Sequence, residues 1–443
     1  QNAFYYMQSA GDYMKIAGLF VAVWAVISLI LHFIYGKWPQ RYMRVVIALL
    51  LISLLPLIDL ALFIAGIKPG IKGIARIIYP LFCFGYVPGI IIIALFVPLE
   101  KVFGRTVPVF FTVGLLAVFY AVPRTIFEPI IDKDFVEQDG APPVHIILFD
   151  ETSYYLLFNP KLKEDFTNIY DFASQSYVFT NAYSPGIETL WSIPKLLTGT
   201  DYRQYRESND NLYISRDSSG TFEKLPVEKS IFKLARDYDY NTVLIGGYIP
   251  YCDIFGDFLT YGRQYRNSPI LAGMTPWPIT KILYLNRFKI NTFFHEFDDY
   301  MSVMRKAPVN TMYYVHFLIP HWPYLFDENG VGDYYWNTLI HSEDYLKQER
   351  FEAQTKYCDK KFGEILDEMK SNGTYDQSLV IFISDHAEKD AEDRTRIPLF
   401  VKAPYQQERV QVNEEVRTIR LNILLERFFE DNTVDVSLLM TRN

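Results

Sequence analysis

Cysteine is scarce in this chain. Three residues, Cys83, Cys252 and Cys358, exclude a disulfide framework. Cys83 lies in an apolar run, which leaves Cys252 and Cys358 as the one pair available for a bridge. Positive charge is also in short supply: 43 Lys and Arg against 51 Asp and Glu give a formal net charge of −8. No basic arm or tail offsets that balance, which argues against a nucleic-acid partner. The chain begins with Gln1 rather than Met. Its numbering is therefore expected to start inside a longer protein, and no cleavable signal peptide is assigned.

Apolar and aromatic side chains are plentiful, at 50% and 16% of the 443 residues. The excess is concentrated in the first 125 residues, as four apolar runs at 16–36, 45–67, 77–99 and 106–123. A buried helix of a soluble protein would carry a polar stripe, and these do not. The first three are long enough to cross about 30 Å of hydrocarbon as helices, and the fourth just reaches. Four membrane helices are expected. Lys37, Arg41 and Arg44 in the first connection and Lys101 and Arg105 in the third outnumber Lys68, Lys72 and Arg76 in the second. This bias puts the first and third connections in the cytoplasm and everything after the fourth helix on the other side. Asp59, with Pro56 one turn before it, is either a functional intramembrane carboxylate or a packing site. Pro80, Pro88 and Pro98 predict a kinked third helix. Ile126, Phe127, Ile130 and Ile131 suggest an interfacial helix, and "DGAPP" reads as a linker. The expected organisation is a transmembrane domain at 1–125, an interfacial helix and linker at 126–143, and a second domain at 144–443, in keeping with the length.

From Val144 the pattern changes. "VHIILFD" (144–150), "NTVLIGG" (241–247), "TMYYVHFLI" (311–319), "SLVIFISD" (378–385) and "IPLFVKAP" (397–404) read as buried strands. Helical stretches lie between them, one ending at Gly373. The fold class is therefore α/β, with a mostly parallel sheet covered on both faces. Such sheets bind ligands at the carboxyl ends of their strands. The residues there are Asp150 and Glu151, His321, and Asp385 and His386. Two acidic sites and an imidazole are the right types for a divalent metal, although an Asp ending a strand also commonly caps the next helix. Thr189 begins "TLWSIPKLLTG", where Leu197-Thr198-Gly199 marks a helix end. A threonine hydroxyl is a poor nucleophile until a metal or base removes its proton. A helix N-terminus favours both an alkoxide and a bound phosphate. His145 and His316, inside strands, read as structural core residues.

"HIILFDET", "ETLWSIPKLLTG", "HFLIPHWPY", "ISDH" and "RIPLFVKAP", in that order, resemble the alkaline phosphatase/sulfatase superfamily. Sulfatases place a Cys, modified to formylglycine, where Thr189 stands, and Trp191, Ser192 and Ile193 replace the rest of that signature. The Thr and the apolar N-terminal part are similar instead to the membrane phosphotransferases of bacterial envelopes: lipoteichoic acid synthase, phosphoglycerol transferases and phosphoethanolamine transferases. The resemblance implies an alkaline phosphatase-like domain and one divalent ion, Mn, Zn or Mg. Its ligands would be Glu151 (favoured over the adjacent Asp150), Thr189, Asp385 and His386. His321 would meet the substrate phosphate or leaving group. It also implies a membrane phospholipid donor, a glycan or lipid acceptor, and a bacterial plasma-membrane enzyme whose catalytic domain faces the periplasm or exterior. Two features depart from those families. Only "AEKDAEDRTR" separates His386 from the next strand, where a longer loop with a second His is usual, and at most one disulfide is possible. A phosphodiesterase of the same superfamily and a non-catalytic scaffold are the alternatives.

Overall fold

A computed structural model describes residues 130–138, 140–208, 211–217, 220–265, 279–331 and 347–440. The four expected membrane helices, Asp59, Cys83 and residues 126–129 lie outside the described residues. Among the described residues, no helix is long and apolar enough to cross a membrane. The chain divides into two compact units, Gln1–Phe127 with Ser268–Lys281, and Glu128–Asn267 with Ile282–Asn443.

The second unit is built on a nine-stranded sheet. Its strands are β1 (Ile130–Asp132), β2 (Val144–Asp150), β3 (Tyr177–Phe179), β4 (Asn241–Gly246), β5 (Tyr261–Gln264), β6 (Thr311–Pro320), β7 (Leu379–Ile383), β8 (Leu399–Lys402) and β9 (Val410–Val412). The spatial order is β1-β5-β4-β6-β2-β7-β8-β3-β9. The centre, β5-β4-β6-β2-β7, is parallel throughout. All five apolar runs identified in the sequence are strands here. β2, β4, β6 and β7 are buried along their whole length, which is why they read as near-continuous apolar segments. The longer helices are α1 (Thr167–Ala173), α2 (Thr189–Thr198), α3 (Ile231–Asp237), α4 (Ile279–Met304), α5 (Lys347–Ser371) and α6 (Leu421–Asp431).

Strand side chains alternate between faces. Ile147 and Phe149 of β2, Val243 and Ile245 of β4, and Tyr313, Val315 and Phe317 of β6 join one core. That core includes Phe293, Phe297 and Tyr300 of α4, Phe362, Ile365 and Met369 of α5, and Phe172 of α1. Burying each such ring contributes about 1.5–3 kcal/mol. The opposite face takes the alternate residues: Tyr314 of β6 meets Phe232 of α3 edge-on, ring centroids 6.0 Å apart. Helix α6 packs against both α3 and α2 on that side.

Two details differ from the sequence expectation, and the cysteine pair that the sequence left open is decided. The sheet is mixed, because β8 runs antiparallel to both β7 and β3. A parallel return needs a crossover of a dozen or more residues, usually a helix, and residues 384–398 contain none. Ile130 and Ile131, expected on an interfacial helix, stand in β1. There they pair with Arg263 and Gly262 of β5, an edge that would otherwise have no partner on that side. Cys252 and Cys358 do not form a disulfide. Cys358 belongs to the core beside α4, while the Cys252 sulfur lies against Gly262.

Candidate metal centre and nucleophile

Asp150 is the last residue of β2. Glu151 follows with φ +62°, a left-handed backbone that costs a residue with a Cβ about 1–2 kcal/mol. This turn joins the ends of β2 and β7. The Glu151 N–H donates to Asp385 Oδ1 at 3.2 Å, and the Thr152 N–H donates to Ser384 Oγ at 2.9 Å. Ser384 Oγ in turn donates to the His386 carbonyl at 2.8 Å. His386 Nδ1 donates to the Ala387 carbonyl at 2.9 Å, which directs Nε2 toward the acids. From Nε2 it is 3.3 Å to Asp385 Oδ2 and 3.8 Å to Asp150 Oδ1.

Thr189 is the first residue of α2. Glu188 holds the cap position in extended backbone and makes no side-chain cap hydrogen bond, so Thr189 is not itself the cap. Its buried hydroxyl lies 3.4 Å from His386 Nε2. Ser192, one turn on, donates to the Asp385 carbonyl at 2.5 Å and ties the helix to the same corner. Pro194 lacks the N–H that would bond the Leu190 carbonyl; the Tyr202 hydroxyl donates to that carbonyl instead. The helix stops at Gly199, φ +60°, as the Leu-Thr-Gly pattern predicts. An alanine there would put its Cβ 2.4 Å from Asn422.

Asp150, Asp385 and His386 each offer one ligand atom, all within 4.8 Å of one another. All three are buried, and neither Asp150 Oδ1 nor Asp385 Oδ2 makes a hydrogen bond. Unpaired buried carboxylate oxygens are strongly unfavourable. Burial raises the Asp385 carboxyl above its usual range, and the charge of Asp150 adds to this. Burial pushes Asp150 the same way, but His321, His316 and His386 outweigh it and hold it below its usual range. Burial lowers the His386 imidazole, yet Asp385, Asp150 and Glu151 outweigh that and raise it. Surroundings that favour a proton on this ring also favour a cation beside it, and two acids with one imidazole suit a divalent ion.

The sequence resemblance favours Glu151 over Asp150 as a ligand. The structure gathers Asp150 with Asp385 and His386, whereas the left-handed turn sends the Glu151 carboxylate elsewhere. Glu151 Oε1 lies 3.9 Å from His321 Nε2 and 3.9 Å from Arg394. His321, just past β6, is held through its backbone: Lys289 of α4 donates to its carbonyl, and so does Gln354 of α5 at 3.2 Å. Gln354 also donates to the Pro320 carbonyl at 2.8 Å and accepts from the Leu325 N–H at 2.7 Å. Burial lowers the Lys289 ammonium to about 7, against the charges of Asp150 and Glu151. The short segment after His386 is closed by the Ala387 N–H donating to the Arg394 carbonyl at 2.8 Å.

Sequence reasoning missed Lys289, Gln354 and Arg394, which stand in no motif. His316 is fully buried, as expected of a core residue, but its Nε2 lies 3.6 Å from Asp150 Oδ2. His145 is structural as expected: its Nδ1 is 2.8 Å from the Tyr300 hydroxyl, and burial lowers the imidazole to about 3. His295 stacks on Tyr265 with ring centroids 6.0 Å apart, and His341 lies outside the described residues.

Among solved structures, the lipoteichoic acid synthase LtaP from Listeria monocytogenes is 13% identical, covering 68% of this chain and 74% of its own, with a TM-score of 0.43. The phosphonate monoester hydrolase of Agrobacterium radiobacter is 16% identical, covering 65% and 74%, with a TM-score of 0.44. BT1596, a 2-O GAG sulfatase, is 14% identical, covering 68% and 73%, with a TM-score of 0.47. No curated protein matches the chain. The sulfatase family model matches residues 143–423, from the residue before β2 into α6, and takes in Asp150, Thr189, His321, Asp385 and His386. A match over more than half of the chain, meeting the geometry at those strand ends, makes this protein a member of the sulfatase family.

Proposed function

We propose that this protein transfers a phospholipid-derived phospho-headgroup, phosphoglycerol or phosphoethanolamine, to an envelope glycan or lipid acceptor through a phospho-threonine at Thr189. The observation that carries the proposal is the Thr189 hydroxyl, buried at the first position of α2 and 3.4 Å from His386 Nε2. No cysteine stands at that position, so formylglycine chemistry is closed to this chain. The apolar runs at 16–36, 45–67, 77–99 and 106–123 support a bacterial plasma-membrane location, with the catalytic domain facing the periplasm or exterior and a donor drawn from the bilayer.

Enzymes of the sulfatase superfamily use a divalent metal, and Asp150, Asp385 and His386 would hold one here. When bound, such an ion lowers the pKa of a coordinated hydroxyl and offsets phosphate charge. The chain's own groups do the rest. The first turn of α2 presents Thr189 and backbone N–H groups to the phosphate. Thr189 Oγ, its proton released to solvent, attacks phosphorus; the Oγ–P bond forms as the P–O bond to diacylglycerol breaks. Diacylglycerol leaves as the alcohol, taking up a proton from His321. A hydroxyl of the acceptor then attacks the phospho-Thr189, its proton passing to the His321 that gave one up, and the Thr189 oxygen leaves with a proton taken from solvent. Glu151 Oε1, 3.9 Å from both His321 Nε2 and Arg394, would hold these two side chains beside the site. Splitting one transfer into two displacements is the gain that a covalent intermediate brings.

Intact mass spectrometry after incubation with phosphatidylglycerol or phosphatidylethanolamine tests this. The expected result is a headgroup-phosphate adduct on the Thr189 peptide, absent from Thr189→Ala. Thr189→Ala with unchanged turnover overturns the proposal. Release of free headgroup phosphate at a rate indifferent to added acceptor makes the protein a hydrolase instead.

A further inference from the structure

The two oxygens of Asp150 face different neighbours. Oδ1 lies toward His386 Nε2, 3.8 Å away, and makes no hydrogen bond. Oδ2 lies 3.6 Å from His316 Nε2, a buried nitrogen that also makes none. The other ring nitrogen, His316 Nδ1, is 2.7 Å from the Tyr251 hydroxyl. Burial, reinforced by Tyr314, Asp385 and Asp150, holds the Tyr251 phenol well above its ordinary range, so it remains a proton donor. A phenol that donates to Nδ1 leaves the ring proton on Nε2, aimed at Asp150 Oδ2. The other tautomer would turn a lone pair toward a carboxylate oxygen, acceptor against acceptor.

The backbone makes room for this pairing. Gly246, the last residue of β4, sits opposite His316 in the register. A Cβ on Gly246 would come 3.0 Å from the Tyr251 ring and 3.1 Å from His316 Cβ. The glycine lets the two aromatic rings close over the end of β4. Tyr251 itself comes from the short helix Tyr251–Phe255, so the chain of contacts runs from that helix through β6 to the end of β2.

We propose that Tyr251 and His316 form an outer-sphere relay that fixes the orientation of Asp150, with the His316 N–H taking Oδ2 and leaving Oδ1 for a divalent cation. The inference rests on the reading of Asp150, Asp385 and His386 as cation ligands. His316 is a positioning residue: it acts on the ion only through Asp150. A small rotation of either side chain closes the 3.6 Å approach to hydrogen-bond length. Partners of this kind typically govern metal affinity by about 10–100-fold.

Calorimetric titration of Mn2+ into the chelator-stripped full chain tests the relay, with the melting temperature of each metal-free variant measured alongside. His316→Leu is expected to weaken Mn2+ binding by about 10–100-fold, and Tyr251→Phe to weaken it less. His316→Gln, which keeps an N–H donor, is expected to bind more tightly than His316→Leu. A folded His316→Leu with wild-type Mn2+ affinity overturns the inference. Should His316→Leu fail to fold, Tyr251→Phe decides alone, and unchanged affinity there overturns it equally. A wild-type chain that binds none of Mn2+, Zn2+ and Mg2+ removes both the relay and the cation site beneath it. The phospho-threonine proposal falls separately, by the missing adduct on Thr189.

Discussion

His145 and His316 lie on neighbouring strands, β2 and β6, and both are fully buried. His145 is near the start of β2, opposite Tyr313 in the register, and points to the α4 side. There the Tyr300 hydroxyl meets its Nδ1 and Tyr313 stacks on it at 4.4 Å. His316 is opposite Leu148, nearer the carboxyl end, on the other face. One of its nitrogens finds Tyr251 and the other looks onto Asp150. Burial alone therefore does not tell the two apart. What differs is what each ring meets: a tyrosine hydroxyl for His145, a tyrosine hydroxyl and a carboxylate for His316. Around the carboxyl ends of β2 and β7 the fold leaves Asp150 Oδ1, Asp385 Oδ2 and, on β6, His316 Nε2 without hydrogen bonds, an arrangement that costs stability.

The contrast breaks most sharply at Asp385. Asp385→Asn is expected to lower turnover by about ten-thousand-fold or more and to empty the site of bound metal by elemental analysis. The metal-free variant should melt no lower than the wild type, because one of two crowded acids has been neutralised. A lower melting temperature with metal still bound would show that Asp385 is a structural residue. His321→Ala comes next, with turnover reduced by about a hundred- to a thousand-fold and Mn2+ still bound, since Asp150, Asp385 and His386 all remain. His145→Leu is the mirror experiment: it should cost about 1–3 kcal/mol in urea unfolding by stranding the Tyr300 hydroxyl, and leave Mn2+ affinity alone.

The smallest expected effect is on the pH dependence of stability at Lys289. Burial lowers its ammonium to about 7 from the ordinary lysine value of 10.5, with Asp150, Glu151, Cys358 and Glu296 pulling it back up. Between those values the unfolded chain holds a proton that the folded chain lacks, so this residue makes stability rise with pH across that window. Below about 7 both states are protonated and the burial penalty is felt in full. Lys289→Met should therefore gain more near pH 7 than near pH 10, read as the shift in urea midpoint at about each pH. An equal shift at both would show that the lysine is charged throughout.

Much of this fold was legible because buried parallel strands are nearly continuous apolar runs; "VHIILFD" is β2 from end to end. The Leu-Thr-Gly stop of α2 and the glycine after α5 followed from backbone chemistry alone. The choice between Asp150 and Glu151 did not. Adjacent acids point in different directions, and the left-handed turn that separates them has no glycine to announce it. His316 was hidden for a different reason. Period-2 alternation places it on the face of Leu148 and Asp150 only once the register between β6 and β2 is known. Ile130 and Ile131 are too short a run to tell strand from helix, and only the free edge of β5 decides. Lys289 looks like any cation in a long helix, because the carbonyls it meets belong to a loop beyond the helix.

Were catalysis no longer required, position 151 is where this chain would be expected to drift first. Glycine visits a φ of +62° freely, and asparagine tolerates it better than glutamate does. A library screened for survival of heating alone should therefore accumulate Glu151→Gly and Glu151→Asn. Each survivor would hold its shape at higher temperature and lose the carboxylate set between His321 and Arg394.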